Sequence, residues 1–440
     1  MAWRGSTVVG AVVSLGATLN ACAAGGGAGG ERAPLEARYR VVLDERRPDM
    51  AEIALDLPAD TSALTAARDG DGASLLDVRC ADGRPSIRTA AGWAVPPGCR
   101  RMRWRARLQP IDAAGLDASL PVGAFSVEHR YWVVPERDSF LRAAAAAGSA
   151  SVSLRLANGS TVERRYQFPS NTQPPFYAVV GADPTVEYQR EGVGLRVFGA
   201  PPAFPWMNAV HGDVLTTWAR WHSDLVRGGA PASIDWAWVR PTEALEPGYN
   251  ASAGAEAIIS QIKLRPGDPD GEAKARAVIA TSAAHEGFHS ITGAAGQAWP
   301  AWVNESLANH FAIEAARAFL APSDFRFVEL FYIEPDVRTP LLEAQAGYAA
   351  GDGEQAGIFY VHGARFWRAI ERVLDGPAGG SGKLAALIKA SDNLAGVDLH
   401  DADSLAAFLD RHSSDRAGPI VRCYLLGSDC PPADQDRRAS

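Results

Sequence analysis

HEGFH at residues 285–289 and WVNE at residues 302–305 are the two stretches that decide the fold of this chain. On a helix, residues four apart share a face, so His285 and His289 direct two imidazoles to one point. Glu286 lies beside them, where a carboxylate can take a proton from water held at a metal. This pattern predicts a zinc hydrolase. The alternative is a helix whose histidines fall four apart and carry no metal.

The first motif lies within a predicted helix over residues 272–292. Asp270 is a candidate N-cap, because its side chain can accept a backbone N–H of the first turn, and Gly293 is a typical helix end. Small and apolar residues recur at helical spacing ahead of the histidines, which favours a buried, rigid helix. Such support is what a pair of metal ligands requires.

A second helix is predicted to begin at Pro300, placed at the first helical position, and to run as far as Pro322. It carries Glu305 as the predicted third ligand. Two histidines and one glutamate leave the fourth position on zinc open, as in catalytic sites. Asn309, one turn further, is a candidate to accept the N–H of a ligating histidine and fix its tautomer.

The chain here resembles a known family. HExxH followed by NExxA is the pattern of the gluzincin metallopeptidases, and WVNESLANHF (302–311) is similar to the WLNEGFAxY stretch of the aminopeptidase N family. YVHGA (360–364) resembles that family's Tyr-Glu-Lys-Gly-Ala. The resemblance implies a thermolysin-like, mainly α catalytic domain and one Zn²⁺ per chain. The roles it implies are His285, His289 and Glu305 as zinc ligands, Glu286 as general base, and Tyr360 as the donor to the oxyanion.

The aminopeptidase N family also has a Gly-x-Met-Glu-Asn strand whose Glu binds the free amine of the substrate. Glu256, in AGAEA (253–257), occupies the comparable place, but the residues around it do not match. Glu256 is therefore either an amine anchor or a structural residue of a predicted edge strand at 255–264. The glycyl aminopeptidase family is a second relative, since it also places a β domain ahead of a gluzincin domain.

The amino-terminal segment resembles a bacterial lipoprotein signal. Residues 1–21 contain Arg4 and a short apolar stretch, and LNAC (19–22) would make Cys22 the lipidated first residue of the mature chain. Residues 22–34 are rich in glycine and predict a flexible tether. These features predict a lipid-anchored protein of the bacterial cell envelope. A secreted protein cleaved nearby is the main alternative, and the apolar stretch is short for a membrane span.

Four further cysteines suit an oxidising compartment. Short loops lose less entropy on closing, so the predicted disulfides are Cys80–Cys99 and Cys423–Cys430, with four free thiols as the alternative. The net charge of −8, from 43 basic and 51 acidic residues, gives no electrostatic reason to expect a nucleic-acid partner. RRMRWR (100–105) alternates like a strand with a solvated outer face.

The complete chain is predicted to be α+β, with an antiparallel β-sandwich-like domain at 35–170 and the zinc metallopeptidase domain at 175–425. The predicted elements of the second domain are a helix at 206–228, a strand at 233–239, and helices near 383–391 and 402–413. The tail at 431–440 is predicted to be disordered. The acidic loop at 267–272 is interpreted as a turn and helix cap, with a calcium site as the alternative.

The function predicted from these features is hydrolysis of peptide bonds by a zinc-activated water, with a peptide or protein substrate, outside the cytoplasm. One alternative is an envelope lipoprotein that retains the peptidase fold, binds peptides and has little turnover. Another is a hydrolase of a non-peptide amide or ester.

Overall fold

The structure, a computed structural model, describes residues 37–428 with short gaps. Outside the described part lie residues 1–36 and 429–440, and the gaps 59, 68–71, 91, 114–115, 117–121, 144–147, 157–160, 169–175, 182–183, 200–203, 205, 226–231, 240–241, 244–247, 255, 265–266, 269, 295–298, 334–337, 376–381 and 391–393. The predicted signal, Cys22, the tether and the tail at 431–440 therefore remain predictions. So does the second disulfide, because Cys430 lies outside the described residues.

The N-terminal half is built from short strands. They are β1 Ala37–Leu43, β2 Met50–Asp56, β3 Ala63–Ala66, β4 Leu75–Cys80, β5 Ile87–Thr89, β6 Gly92–Ala94, β7 Arg101–Arg107, β8 Gln109–Pro110, β9 Ala124–Ser126, β10 Tyr131–Pro135, β11 Leu141–Ala143, β12 Gly148–Leu156, β13 Thr161–Phe168 and β14 Tyr177–Gly181, with the helical turn α1 Glu136–Ser139 after β10. β1, β2 and β7 alternate between buried and more exposed residues along their length, as half-buried strands do.

Three sheets form from these strands. One has six strands in the order β13-β12-β1-β2-β7-β4, and two have four, β14-β10-β9-β8 and β11-β3-β6-β5. Their inner faces meet in one apolar core that includes Val41, Trp104 and Trp132. The Cys80–Cys99 disulfide is present, with its Cα atoms 5.8 Å apart, and it ties the end of β4 to the loop before β7.

Two details of the predicted β domain were wrong. The pairing is not wholly antiparallel, because β1 and β12 run parallel. The stretch SVEHRYWVV (126–134) has the alternation from which we predict a single strand, but its residues 127–130 form a turn, so that Tyr131 pairs back onto Ser126. In addition, β14 pairs with β10, so the N-terminal sheets continue to Gly181, beyond the predicted end at 170.

The second half begins with one mixed sheet and continues with helices. Its strands are β15 Val186–Arg190, β16 Val193–Phe198, β17 Ala232–Trp238, β18 Thr242–Glu243, β19 Gly248–Ala253 and β20 Ala257–Leu264. Its helices are α2 Met207–Leu225, α3 Gly271–Ala294, α4 Ala301–Phe319, α5 Pro322–Val328, α6 Leu341–Ala349, α7 Ala356–Ile358, α8 Ala364–Asp375, α9 Lys383–Ala390, α10 Ala402–Ser413 and α11 Gly418–Leu426. A 3₁₀ turn at Gly353–Gln355 and π-helical turns at Glu329–Ile333 and Phe359–Gly363 complete it. The predicted helices are confirmed to within a few residues, and Pro300 is the N-cap of α4 rather than its first residue.

The edge of this sheet differs from the prediction. β20, which contains most of the predicted edge strand, lies between β17, its parallel partner, and β19, its antiparallel partner. β19 pairs only with β20 among the described strands. The strand nearest the zinc motif is therefore β19, and the Ser290 hydroxyl of α3 donates to the carbonyl of Gly254 at its end, over 3.0 Å.

The two faces of this sheet have different partners. One face packs Leu195, Trp236 and Ile258 against α2, α3 and α4. The other packs Ile259 against residues of β10 and β14 in a separate apolar cluster. The Tyr131 hydroxyl donates to the carbonyl of Trp238 across that boundary, over 3.1 Å. The sheet thus supports the helices that carry the site.

The described helices include none with the length and apolar character needed to cross a bilayer.

Candidate active site

Helices α3 and α4 bring three nitrogen and oxygen donors to one point. His285 Nε2 lies 3.0 Å from His289 Nε2 and 3.2 Å from Glu305 Oε2, and the remaining side of this triangle, from His289 Nε2 to Glu305 Oε2, is 3.4 Å. All three side chains are buried. The structure therefore brings together the three residues that the sequence predicts as ligands.

The size of this donor triangle fits zinc. Zinc binds histidine nitrogen and carboxylate oxygen at about 2.0–2.2 Å, so two ligand atoms of a tetrahedral site are separated by about 3.3 Å. The three observed separations lie on either side of that value. Among the described residues, this is the one group of three or more metal-binding side chains with converging ligand atoms. Two histidines and a carboxylate also suit zinc chemically, and they leave a fourth position for solvent or substrate.

The electrostatics of the triangle favour a positive charge within it. Burial opposes the charges of His289 and Glu305, but the effect of the oppositely charged neighbours outweighs burial. The Glu305 carboxylate raises the pKa of His289 to about 9, and the two imidazoles hold the pKa of Glu305 far below its ordinary value. A divalent cation bound between the three donors would satisfy this field.

Glu286 lies beside the triangle and is not one of its donors. Its side chain is only 5% exposed, and burial raises the pKa of its carboxyl, against the lowering effect of His285 and His289. A carboxyl shifted upward in this way is a better proton acceptor near neutral pH than an ordinary surface glutamate. This is the environment that a general base requires.

Gly287, inside the HEGFH motif, is a close-approach position. A Cβ atom added there would lie 1.9 Å from Nε1 of Trp218, which is fully buried on α2. The indole of Trp218 therefore lies close against the backbone of α3 at Gly287, which is between His285 and His289 in sequence. The glycine is required because any side chain would separate α2 from α3 and rotate the histidine pair.

Tyr360 lies on the π-helical turn Phe359–Gly363, and its ring is 5.4 Å from that of His285, edge to face. π-helical turns are rare and are often found at functional sites. A Cβ at Gly363 would lie 2.4 Å from Cβ of Ser306, so this turn packs tightly on α4 next to Glu305. Burial, and then Glu305 and Glu286, raise the pKa of Tyr360, which keeps the hydroxyl protonated and able to donate.

The prediction for Asn309 was wrong about its partner. Its Nδ2 donates to the backbone carbonyl of Tyr360 over 2.5 Å, so it holds the π-helical turn rather than a histidine. The residue beside the ligand is Asn304, whose Oδ1 lies 3.3 Å from His289 Nδ1. A donated Nδ1–H leaves His289 Nε2 free to bind the metal. The signal was present in the sequence, since Asn304 directly precedes Glu305.

Tyr332 was missed by the sequence analysis. It lies on the other π-helical turn, Glu329–Ile333, and its hydroxyl is hydrogen-bonded to Ser282, one helical turn before Glu286 on α3. Burial raises the pKa of Tyr332, and the charge of Glu286 adds to this effect. A second phenol thus lies close enough to Glu286 to be affected by its charge, and no sequence motif marks it.

Glu256 is not placed with the catalytic groups. It lies in a bend between β19 and β20, and its charge contributes to raising the pKa of Arg196. Arg196 forms a two-pronged ion pair with Asp235, at 2.7 Å for both hydrogen bonds. Arg196 pairs in register with Asp235, and Asp235 pairs with Ala257, whose side chain lies on the sheet face opposite α3 and α4. This position fits the structural role left open for Glu256.

Two carboxylates of the acidic loop before α3 form hydrogen bonds and ion pairs with other groups of the protein. Asp268 accepts from the backbone N–H of Asp270 at 3.0 Å and from Nζ of Lys274 at 2.8 Å. Asp270 also accepts from Arg326 at 2.8 Å. These contacts describe a turn that leads into a helix, in agreement with the preferred interpretation of this loop.

No family model and no curated protein matches the sequence of this chain. Its structure is similar to that of an aminopeptidase N family protein from Idiomarina loihiensis, with a TM-score of 0.53, 10% identity, and coverage of 80% of this chain and 69% of that one. It is also similar to Legionella pneumophila aminopeptidase A, with a TM-score of 0.50, 12% identity, and coverage of 89% of this chain and 49% of that one. The chain therefore shares the fold of these two proteins.

That similarity confirms the coarse architecture, a β region followed by a largely helical one that carries the HExxH helix. At these identities it describes the fold alone. The chain spans about half the length of the Legionella protein.

Proposed function

We propose that this chain is a zinc-dependent peptidase. The observation that supports it most is the donor triangle of His285, His289 and Glu305, with sides of 3.0–3.4 Å, bordered by a buried Glu286 and by the Tyr360 ring. A helix pair held together only for stability has no need of three buried ionisable groups at one point, because burying them is costly.

The roles of the residues follow from their positions. Zinc, when bound by the triangle, would supply a Lewis acid that polarises a carbonyl and acidifies water. Glu286 takes a proton from the attacking water and returns it to the leaving amine. Tyr360, which stays protonated, donates to the oxygen on which negative charge develops. Asn304 keeps His289 in the tautomer that leaves its Nε2 available to the metal.

The proposed substrate is an extended peptide. β19 has β20 as its sole partner among the described strands, so the backbone groups on its other side are open to a further strand. Ser290 holds the end of β19 against α3, three residues from the middle of the HEGFH motif. A peptide added to β19 would therefore run past the donor triangle, with its backbone hydrogen bonds supplying affinity.

The proposed location is the outer surface of a bacterial membrane, reached through a lipid on Cys22. This part of the proposal rests on the LNAC sequence and the glycine-rich segment that follows it. It is independent of the chemistry at the triangle.

The decisive experiment compares Glu286→Gln with Glu272→Gln, which alters an exposed glutamate at the start of the same helix. Both variants should keep zinc, and Glu286→Gln should lower peptide hydrolysis by about a hundredfold or more, whereas Glu272→Gln should not change it. Substrates with free and with blocked amino ends, assayed in parallel, distinguish an aminopeptidase from an endopeptidase. Undiminished turnover in Glu286→Gln would exclude its role as base. A zinc-loaded wild type without turnover would favour a peptide-binding module.

A further inference from the structure

The outer face of the six-stranded N-terminal sheet carries an unusual number of arginines. Side chains alternate along each strand, so one register of β1, β7 and their neighbours points to solvent. The arginines at these outward positions are Arg38, Arg40, Arg79, Arg101, Arg103, Arg105, Arg107 and Arg155. They come from four strands that are far apart in sequence. We call this surface the basic face.

The carboxylates on the basic face do not neutralise it. On the five strands β12, β1, β2, β7 and β4, the carboxylates at outward positions are Glu52, Asp56 and Asp77, and they are paired with Arg47, Arg101 and Arg105 respectively. Eight arginines against three carboxylates leave a local excess of five positive charges (8 − 3), in a chain whose net charge is −8. In the described part of the chain, no ion pair reaches Arg38, Arg40, Arg79, Arg103, Arg107 or Arg155.

Like charges even face each other across the strands. Arg79 of β4 pairs in register with Arg103 of β7, an arrangement that costs stability. On the other side of Arg103, the small Ala54 separates it from Arg40. Ala54 borders two surface depressions of about 630 and 230 Å³, which also share Arg40 and Arg101. Both depressions lie on the outer surface of the sheet, and arginines of β1 and β7 line both of them.

The breadth of the basic face indicates the kind of partner. From β12 to β4 there are four strand spacings, or about 19 Å. A single phosphate would meet one or two of these arginines and leave the others unpaired. Negative charges spread over a flat surface would meet all of them, and lipid headgroups at a bilayer surface have that distribution.

The position of the basic face relative to the amino terminus also fits a membrane. β1, which carries Arg38 and Arg40, is the first described strand and follows a segment of 36 residues. If the 15 residues between position 22 and β1 behave as the tether predicted from the sequence, their end-to-end distance is about 20 Å. An anchor at Cys22 would keep the basic face within that distance of the bilayer.

We propose that the basic face docks on the anionic headgroup surface of a membrane, so that the protein lies on the bilayer with the N-terminal sheet against it. The docking is separate from the proposed zinc chemistry and would hold if that chemistry were absent. It would turn a loosely tethered protein into one with a fixed orientation.

The test measures binding of the full chain to lipid vesicles. All proteins carry Cys22→Ser, so that no acyl group contributes, and the vesicles contain phosphatidylcholine with or without phosphatidylglycerol. We expect tighter binding to the anionic vesicles, and weaker binding as salt screens the charges. The variant Arg40→Gln/Arg79→Gln/Arg103→Gln should lose about a hundredfold in affinity for anionic vesicles, since each basic residue near such a surface contributes roughly fivefold.

A matched control removes three exposed arginines from the helical region, namely Arg220, Arg372 and Arg411, each changed to Gln. It changes the net charge equally and should bind like the parent protein. Circular dichroism and a thermal melt verify that both variants fold. Equal losses in the two variants, or equal binding to neutral and anionic vesicles, would overturn the proposal. So would binding to a labelled DNA duplex through the same three arginines with no preference for anionic vesicles.

Discussion

The donor triangle and the basic face are both clusters of ionisable groups, but the triangle is buried and the basic face is exposed to water. In the triangle, His285, His289 and Glu305 are buried, and the Glu305 carboxylate and the His289 imidazole each favour the charged form of the other. On the basic face, Arg40, Arg79 and other arginines are exposed and water screens them. Changing the charge of a side chain should therefore have a large effect on stability or zinc binding in the helical region, and a small effect on stability in the sheet.

The comparison also shows how the two clusters are assembled. The triangle depends on one helical repeat and one neighbouring helix, so few backbone positions determine it. The basic face depends on the pairing of strands that lie up to about 117 residues apart, from Arg38 to Arg155. A helix motif brings together ionisable residues that are close in sequence, whereas a sheet brings together ionisable residues from distant parts of the chain.

The largest expected effect on stability concerns His211, which is fully buried on α2 against the rings of Trp236 and Tyr188. Burial lowers its pKa to about 4, and neither ring nitrogen has a hydrogen-bond partner among the described residues. In the unfolded chain this histidine has a pKa near 6.5, so the unfolded state binds a proton at a higher pH than the folded state does. The free energy of unfolding therefore has its full value above about pH 6.5 and decreases by about 3 kcal/mol as the pH falls to about 4.

Denaturant unfolding at pH 7 and pH 4 checks this effect. His211→Leu should lose about 3 kcal/mol less than the wild type between these two pH values. His412→Leu, at an exposed position on α10, is the control and should follow the wild type. An identical pH dependence in all three proteins would show that His211 is not buried as described.

The next effect separates Asn304 from Asn309. Asn304→Ala removes the acceptor for His289 Nδ1 and should weaken zinc binding by about 10–100-fold. Asn304→Asp keeps an acceptor and should retain most of the affinity. Asn309→Ala should leave zinc affinity unchanged and lower turnover, because it loosens the turn that carries Tyr360. Zinc titration against a competing chelator measures these affinities, and equal weakening by both alanine variants would refute the assignment.

The smallest effect is on the basic face. Arg79→Gln removes one of two like charges that face each other and should raise the free energy of unfolding by about 0.5 kcal/mol at low salt. Arg105→Gln removes an ion pair with Asp77 and should not raise it. Denaturant unfolding at low and high salt measures both, and the gain should shrink as salt is added. A loss of stability in Arg79→Gln would mean that Arg79 and Arg103 do not repel each other.

The sequence was sufficient to predict the triangle because its geometry is local. The spacing of His285 and His289 places both side chains on one face of α3, and Glu305 lies near the start of the next helix, α4. Asn309 was assigned to a histidine because it shares a face with Glu305. In the structure, Asn309 is hydrogen-bonded to the turn that carries Tyr360. The residue near His289 Nδ1 is Asn304, which lies closer to the start of α4.

Other features could not be predicted because they depend on distant contacts. Tyr332 reaches Ser282 through a π-helical turn that no periodic pattern marks. The parallel pairing of β1 with β12, and with it most of the basic face, depends on strand register. Alternation alone predicts which residues point outward, but not which strands are neighbours.

The most direct test of the central claim, that three side chains on α3 and α4 hold one zinc ion, is the zinc content of the purified protein. Elemental analysis after dialysis against trace zinc should give one ion per chain in the wild type and in Glu286→Gln. It should give close to none in His285→Ala and in Glu305→Ala. A wild type without zinc, or full zinc content in either of the last two variants, would contradict the site described here.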